Sequence, residues 1–353
     1  MDIQELLQIT IQRNASDLHL LTGYSPIVRI DGELIPLNTY PKLTPTDVET
    51  LVYSLLTGEQ KELLTVNKEI DFSYEFTGGA RFRINAYSQK GSWSAALRHL
   101  PMHIRDIDQL NLPQIMHQFT TLRQGFVLVT GPTGHGKSTS LAAMVNEINI
   151  SRAAHIVTIE DPIEYVYPPG KSIISQREMH LDTHSWNMAL RSALREDPDV
   201  VLIGEMRDYE TIAAALTIAE TGHLVFATLH TNDSSQTIDR IVDVFPENQQ
   251  TQVRLQLSNV LEAVVSQRLV PRTKGGRIPV TEILLATPAV QNSIREGKTH
   301  LIPNIIQTSG ELGMCMLEKS LAEWVKKGEI SMETAGEYTT RPEEVTRLVR
   351  SKV

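Results

Sequence analysis

Three features of the sequence predict an α/β protein in which a small α+β domain precedes a phosphate-binding core. Residues 131–138, Gly-Pro-Thr-Gly-His-Gly-Lys-Ser, fill the G-x-x-x-x-G-K-[ST] pattern between an apolar run and an amphipathic stretch. Short aliphatic runs at 156–160, 200–203 and 224–229 alternate with helical stretches at 185–196 and 209–221. That is the rhythm of a mostly parallel sheet covered on both faces. Segments 70–76, 80–88 and 92–100 instead alternate with period two around Gly78-Gly79 and Gly91, as an antiparallel meander does.

Taken in order, Ile3 to Arg13 reads as a helix and Asp17 to Leu21 as a strand. Segments 27–30 and 33–35 flank Asp31-Gly32, a pair suited to a type I′ hairpin turn. Thr46 to Leu56 is a helix, and the meander completes a domain over 1–100. Segment 101–113, with two prolines and little periodicity, reads as a linker to a second domain over 114–353. There Phe126 to Thr130 is a buried strand, and Ser138 to Asn149 is a helix with Leu141, Met144, Val145 and Ile148 on one face. Past 245 the strands thin out. Leu257, Val260, Leu261, Val264 and Val265 follow helical spacing, and the tail is mainly helical, with Leu317, Leu321, Trp324 and Val325 on one face.

The 353 residues suffice for two domains, and 41% hydrophobic with 21% charged residues is ordinary for a soluble chain. No apolar run approaches the roughly 18 residues of a membrane helix, and the first residues lack the basic and apolar regions of a signal peptide. Cys315, the single cysteine, excludes an internal disulfide and a cysteine-based zinc site. These features fit the cytosol. A net charge of −9 argues against general nucleic-acid binding, though not against a local basic channel.

In the loop, glycines let several backbone N–H groups converge on one phosphate at a helix N-terminus. Gly131, Pro132, Thr133, Gly134, His135, Gly136, Lys137, Ser138 and Thr139 form the expected nucleotide-binding set. Lys137 is placed to reach the β- and γ-phosphates and Ser138 to hold Mg2+, while the His135 side chain is given no role. Acids are needed nearby, and two strand ends offer them: Glu160, Asp161 and Glu164 after one strand, and Glu205 after Val201-Leu-Ile-Gly204. Ser138, Glu205, Glu160 and Asp161 are candidates for the metal. Either Glu205 or Glu164 orients the attacking water. His223 and His230 bracket the last core strand, where a neutral imidazole can hydrogen-bond a phosphate oxygen. Arg81 and Arg83 share a strand face and Arg98 ends the next strand. They form either a solvated face or arginine fingers supplied by another subunit.

The ordered set of motifs resembles the secretion-type hexameric ATPases and, within them, the PilT group of type IV pilus retraction motors. The motifs are Gly131–Ser138 as Walker A, Thr158–Glu164 as an Asp box, Leu194–Asp208 as Walker B, and Thr221–Asn232 as a His box. The resemblance implies a PAS-like N-terminal domain, a RecA-like P-loop ATPase core with a helical C-terminal region, ATP and Mg2+ as cofactors, and a homohexamer with active sites between subunits. It implies catalytic roles for Glu164, Glu205, His223, His230, Arg81, Arg83 and Arg98. It also implies a cytoplasmic motor docked on an inner-membrane pilus platform protein, with no direct DNA contact. The short chain and lone cysteine depart from the extension and secretion motors of the family. Residues 289–300 are similar to the retraction group's C-terminal stretch, although Val290, Gln291 and Ser293 differ from its usual residues. Walker A usually has Ser where His135 stands. Two rivals remain at this point: a regulatory nucleotide-binding subunit with little turnover, and a nucleic-acid-translocating ring.

Overall fold

A computed structural model describes residues 1–30, 32–77, 80–100 and 103–351. Asp31 of the expected hairpin turn, Gly78-Gly79 of the meander and Pro101 of the expected linker lie outside them. The described chain divides into two units, 1–103 with Pro162–Val166, and 104–161 with 167–353.

The first unit begins with helix α1 (Ile3–Gln12), capped by the Asp2 side chain on the Gln4 N–H. Strands β1 (Asp17–Leu20), β2 (Ile27–Ile30) and β3 (Glu33–Pro36) follow, then helices α2 (Pro45–Tyr53) and α3 (Gly58–Asn67), then β4 (Glu69–Glu75), β5 (Arg81–Gln89) and β6 (Ser92–Leu100). The strands form one sheet in the order β3-β2-β1-β6-β5-β4, antiparallel throughout. Phe82, Ile84 and Ala86 alternate inward along β5 and pack with Leu6, Leu7, Leu18, Val48 and Leu97. Sequence reasoning missed α3. It buries only Leu64, so no apolar stripe announces it; a capping box between Thr57 and Gln60 starts it instead.

The second unit opens with α4 (Met116–Thr121), β7 (Gly125–Thr130), α5 (Lys137–Ser151), β8 (His155–Glu160) and β9 (Ile173–Glu178). It continues with α6 (Trp186–Ala193), β10 (Val200–Ile203), α7 (Tyr209–Glu220), β11 (Leu224–Leu229), α8 (Ser234–Asp243) and α9 (Glu247–Val260). Strands β12 (Leu261–Pro271) and β13 (Arg277–Leu285) precede α10 (Pro288–Arg295), α11 (Ile302–Thr308), α12 (Leu317–Lys326), α13 (Met332–Glu337) and α14 (Pro342–Arg350). The sheet order is β13-β12-β7-β11-β10-β8-β9, parallel except for the β12–β13 pair. Each central strand is buried on both faces. Phe126 and Leu128 face one core with α6, α7 and α8, while Val127 and Val129 face another with α4 and α5. Residues further along the β12–β13 hairpin, Val270, Ile278 and Val280, pack against α12 and α14 through Leu321 and Val345.

Two expectations are corrected. Leu261, Val264 and Val265 do not continue a helix: α9 stops at Val260 and they lie in β12. An apolar run buried on both strand faces cannot be told from a helix by periodicity alone. The segment 101–113 is also not a bare tether along its whole length. Ile107 is fully buried and Leu112 nearly so, both in the core beneath α5. Prolines and charges masked this anchor, because the apolar residues between them follow no regular period.

Replacing Ile107 by Ala is therefore expected to cost about 2–5 kcal/mol, the range for emptying a buried aliphatic site. Differential scanning calorimetry should show a lower Tm for the second unit. An unchanged Tm would contradict the burial of this segment.

Candidate active site

Strand β11 lies between β7 and β10, with Leu229 level with Thr130 and Ala227 level with Ile203. Three loops thus leave the same carboxyl edge of the sheet side by side, the edge where ligands of open α/β sheets bind. The loop after β7 carries the phosphate-binding motif and runs into α5. The loop after β10 carries Glu205, and the loop after β11 begins with His230.

The phosphate loop turns sharply away from the sheet at Gly131, where φ is +137°. A Cβ there would lie 2.2 Å from the Gln267 carbonyl oxygen, so only glycine lets the loop pass β12. The Lys137 ammonium donates to the carbonyls of Gly131 at 2.7 Å and Pro132 at 3.0 Å. Gln267 bridges the loop to the first turn of α5: its Nε2 donates to the His135 carbonyl at 2.9 Å, and its Oε1 accepts from Ser140 Oγ at 2.7 Å.

Glu205 is held by its neighbours along the chain. The Gly204 N–H donates to the Ile159 carbonyl at 2.8 Å, and the Met206 N–H donates to the Thr228 carbonyl at 3.0 Å. A Cβ on Gly204 would meet the Glu160 Cα at 3.2 Å, which leaves little room for the aspartate that many Walker B strands carry there. The Glu205 carboxylate accepts two hydrogen bonds from Arg207, at 2.7 and 2.8 Å. Burial pushes this carboxyl up, but hydrogen bonds from Arg207 and His230, with the Arg207 charge, outweigh it and hold the group below its ordinary value.

His230 joins the two loops. Its Nε2 is 2.9 Å from Glu205 Oε1, and its Nδ1 is 3.4 Å from Lys137 Nζ and 3.3 Å from Thr133 Oγ1. An ammonium only donates and a carboxylate only accepts. The neutral ring with its proton on Nε2 satisfies both neighbours.

The other expected residues divide. Glu160 is buried with its carboxylate accepting from Thr158 at 2.8 Å and Gln176 at 3.3 Å, a position braced by the sheet. Asp161 is exposed and close enough to raise the Arg207 pKa, second to Glu205. His223 is not part of this cluster. It precedes β11 at the opposite end from His230, about 20 Å away for a six-residue strand. There its Nδ1 lies 3.1 Å from the Ile218 carbonyl and 3.0 Å from Thr221 Oγ1, closing the end of α7. The box of residues that holds both histidines spans the whole strand, so proximity in sequence misled.

Glu164 lies in Pro162–Val166, which groups with the first unit. In that unit Arg83 of β5 is directly opposite Arg98 of β6, and Arg81 shares Arg83's face. Arg98 is paired with Asp17 at 3.1 Å, and the same carboxylate lies 3.8 Å from Arg29. Arg83 and Arg98 are thus cross-strand neighbours, with the Asp17 carboxylate offsetting the Arg98 charge.

The sequence model described as "Type II/IV secretion system protein" matches residues 80–335. The chain belongs to the type II/IV secretion system protein family. Among its relatives is the "Type IV pilus retractation ATPase PilT" of Pseudomonas aeruginosa, 47% identical, with 97% of this chain and 99% of that protein aligned. A "Twitching motility protein" of Neisseria gonorrhoeae is 47% identical over 88% of this chain and 83% of its own length. The crystal structure of the pilus retraction motor PilT with bound ADP superposes with a TM-score of 0.92 at 46% identity, covering 98% of this chain and 99% of that one. The Legionella pneumophila ATPase DotB gives a TM-score of 0.78 at 28% identity, with 95% and 94% covered.

For a member of this family, sequence reasoning overlooked three side chains at the site. Arg207 was visible two residues after Glu205, but nothing in the spacing shows that it folds back. Gln267 and Arg277 lie on the unforeseen hairpin, and Arg277 donates to the Gly134 carbonyl at 3.2 Å.

Gly131→Ala is expected to destabilise the second unit by at least the 1–3 kcal/mol typical of a strained backbone position, and to displace the loop from Gln267. A variant with wild-type Tm and wild-type amide shifts in the loop would contradict the close approach.

Proposed function

We propose that this chain is an ATPase that hydrolyses the γ-phosphoanhydride of ATP and drives type IV pilus retraction, and hence twitching motility. The observation that carries the reading is the single cluster of Lys137, His230 and Glu205 at one sheet edge, in a chain 47% identical over nearly its full length to a protein described as a pilus retraction ATPase. The structural match to PilT with bound ADP supports nucleotide at this loop. The direction of force rests on the relatives' descriptions.

Each residue then has a role that its surroundings support. Loop N–H groups and the start of α5 cradle the phosphates. Phosphate oxygens compete with the Gly131 and Pro132 carbonyls for the Lys137 ammonium. Glu205, kept ionised by Arg207 and His230, accepts a hydrogen bond from the attacking water, and His230 ties its position to that of Lys137. Glu164 is the alternative for orienting water. Magnesium would neutralise phosphate charge. The Ser138 hydroxyl and the Glu205 carboxylate fit an ion that takes few protein ligands and otherwise binds phosphate and water. Glu160, whose Oε1 accepts from Thr158 and Gln176, and Asp161 are the further candidates for it.

The assembly we propose is a homohexamer of PAS-like and RecA-like domains that acts in the cytoplasm on an inner-membrane platform protein. The antiparallel sheet with β1 and β6 as central neighbours supports the first domain name, and β11 between the loop strand and the Glu205 strand supports the second. Among the described residues no helix is long and apolar enough to cross a membrane. Arg81, Arg83 and Arg98 act on a neighbour's phosphates.

Glu205→Gln is expected to keep nucleotide binding while losing at least a hundredfold in turnover, the scale of a general-base role. Wild-type turnover in Glu205→Gln with an inactive Glu164→Gln would transfer that role to Glu164.

Mixing tests action between subunits. Arg83→Ala and Lys137→Ala chains, each inactive alone, should regain activity on subunit exchange, because some interfaces then pair an intact loop with an intact Arg83. An arginine finger is worth about 10³–10⁵ in rate, so recovery stands clear of background. No recovery after demonstrated exchange would contradict it.

A further inference from the structure

We propose that His135 is a positioning residue of the phosphate loop, its Nδ1 accepting the Leu269 N–H and so fixing the loop to β12. The inference rests on the ATPase reading and concerns a side chain to which the loop motif gives no function.

Strand β12 is longer than its parallel neighbour. Pairing with β7 ends at Ser266 opposite Thr130, where β7 turns into the phosphate loop. Leu269 lies beyond the last residue of β12 that pairs with β7, so its N–H meets no β7 carbonyl, and His135 Nδ1 accepts from it at 2.9 Å. The imidazole takes the place of the next rung of the ladder. Because the N–H donates, Nδ1 must carry a lone pair, and the ring proton sits on Nε2.

This bond completes a set of three that hold the loop against the β12–β13 hairpin. The others are Gln267 Nε2 to the His135 carbonyl at 2.9 Å and Arg277 to the Gly134 carbonyl at 3.2 Å. The same hairpin carries the C-terminal helices: Arg268 donates to the Tyr338 carbonyl, and Arg272 Nε pairs with Glu329 at 2.8 Å. His135, Arg268 and the Tyr338–Arg341 segment also line a cavity of about 370 Å³. The helical region and the phosphate loop are thus both attached to β12. A serine in place of His135 is too short to span to Leu269 in this way.

The neighbours that face the ring bias it toward the neutral form. Burial, then the charges of Arg268 on β12, Arg277 on β13 and Lys137 on α5, lower its pKa from 6.5. Acids line the adjoining cavity from other elements: Asp233 before α8, Glu282 on β13, Glu318 on α12 and Glu337 on α13, with Arg341 beside them. Protonation of Nδ1 would set a donor against the Leu269 N–H. With the folded-state value depressed, the contact is intact above 6.5 and is lost as pH falls through the lower folded value.

The test uses the full assembled protein, with Mg-ADP titrated calorimetrically and ATP turnover measured alongside. His135→Ala should weaken ADP binding and raise the KM for ATP by about two- to tenfold, the worth of one hydrogen bond, with a smaller change in kcat. His135→Asn, whose Oδ1 can stand near the position of Nδ1, should recover most of the affinity, whereas His135→Gln should not. Below pH 6.5 the wild type should lose ADP affinity more steeply than His135→Asn. Equal ADP affinity in all four proteins, or an Asn variant as weak as Ala, overturns the proposal. Should the Ala variant fail to fold, the Asn and Gln pair decides. Wild-type protein that binds ADP but turns over no ATP would count against the ATPase reading, while the ADP titration still judges His135.

Discussion

A single imidazole holds an ammonium on one side and a carboxylate on the other. His230 lies 3.4 Å from Lys137 Nζ and 2.9 Å from Glu205 Oε1, and the rest of the core is arranged so that it can. The strand order β7-β11-β10 puts the three loop origins next to one another. Burial of those strands on both faces leaves their carboxyl ends no freedom to drift. The loops themselves are then fixed by short contacts: Gly131 against Gln267, Gly204 against Glu160, and Met206 on Thr228. A phosphate that draws on Lys137 alters the group that positions Glu205. In the proposed mechanism, nucleotide binding and water activation are coupled through one side chain.

The hairpin of β12 and β13 has a different task. It continues the sheet beyond the phosphate loop, braces that loop through Gln267, Leu269 and Arg277, and offers its distal end to the C-terminal helices. The loop is therefore supported from the side that carries the C-terminal helices. In the first unit, Arg83 and Arg98 are cross-strand neighbours on a well-packed sheet, with Asp17 paired to Arg98.

Much of this was legible in the sequence because the strongest signals are local. The glycines and lysine of residues 131–138 dictate a phosphate loop wherever a strand precedes and a helix follows. The short aliphatic runs of β8, β10 and β11, spaced by helical stretches, point to a buried parallel sheet. Glu205 and His230 could be placed because each directly follows such a run. What sequence could not show depends on contacts distant along the chain. Strand β12 looked helical since both of its faces are apolar. His223 seemed equivalent to His230 because alternation of strand and loop says nothing about which end of β11 meets the phosphate. Arg207 lies in the Walker B stretch with no role read for it, and Gln267 lies in no motif; their contacts are to a carboxylate two residues away and to a loop more than a hundred residues distant.

The central claim is that Glu205 acts in a position set by His230. A double-mutant cycle on kcat with His230→Ala and Glu205→Gln measures this directly. If the two residues work as a unit, the double variant is no slower than Glu205→Gln alone. Losses that multiply, each substitution exerting its full effect in the presence of the other, would show that His230 and Glu205 act independently and would contradict the account.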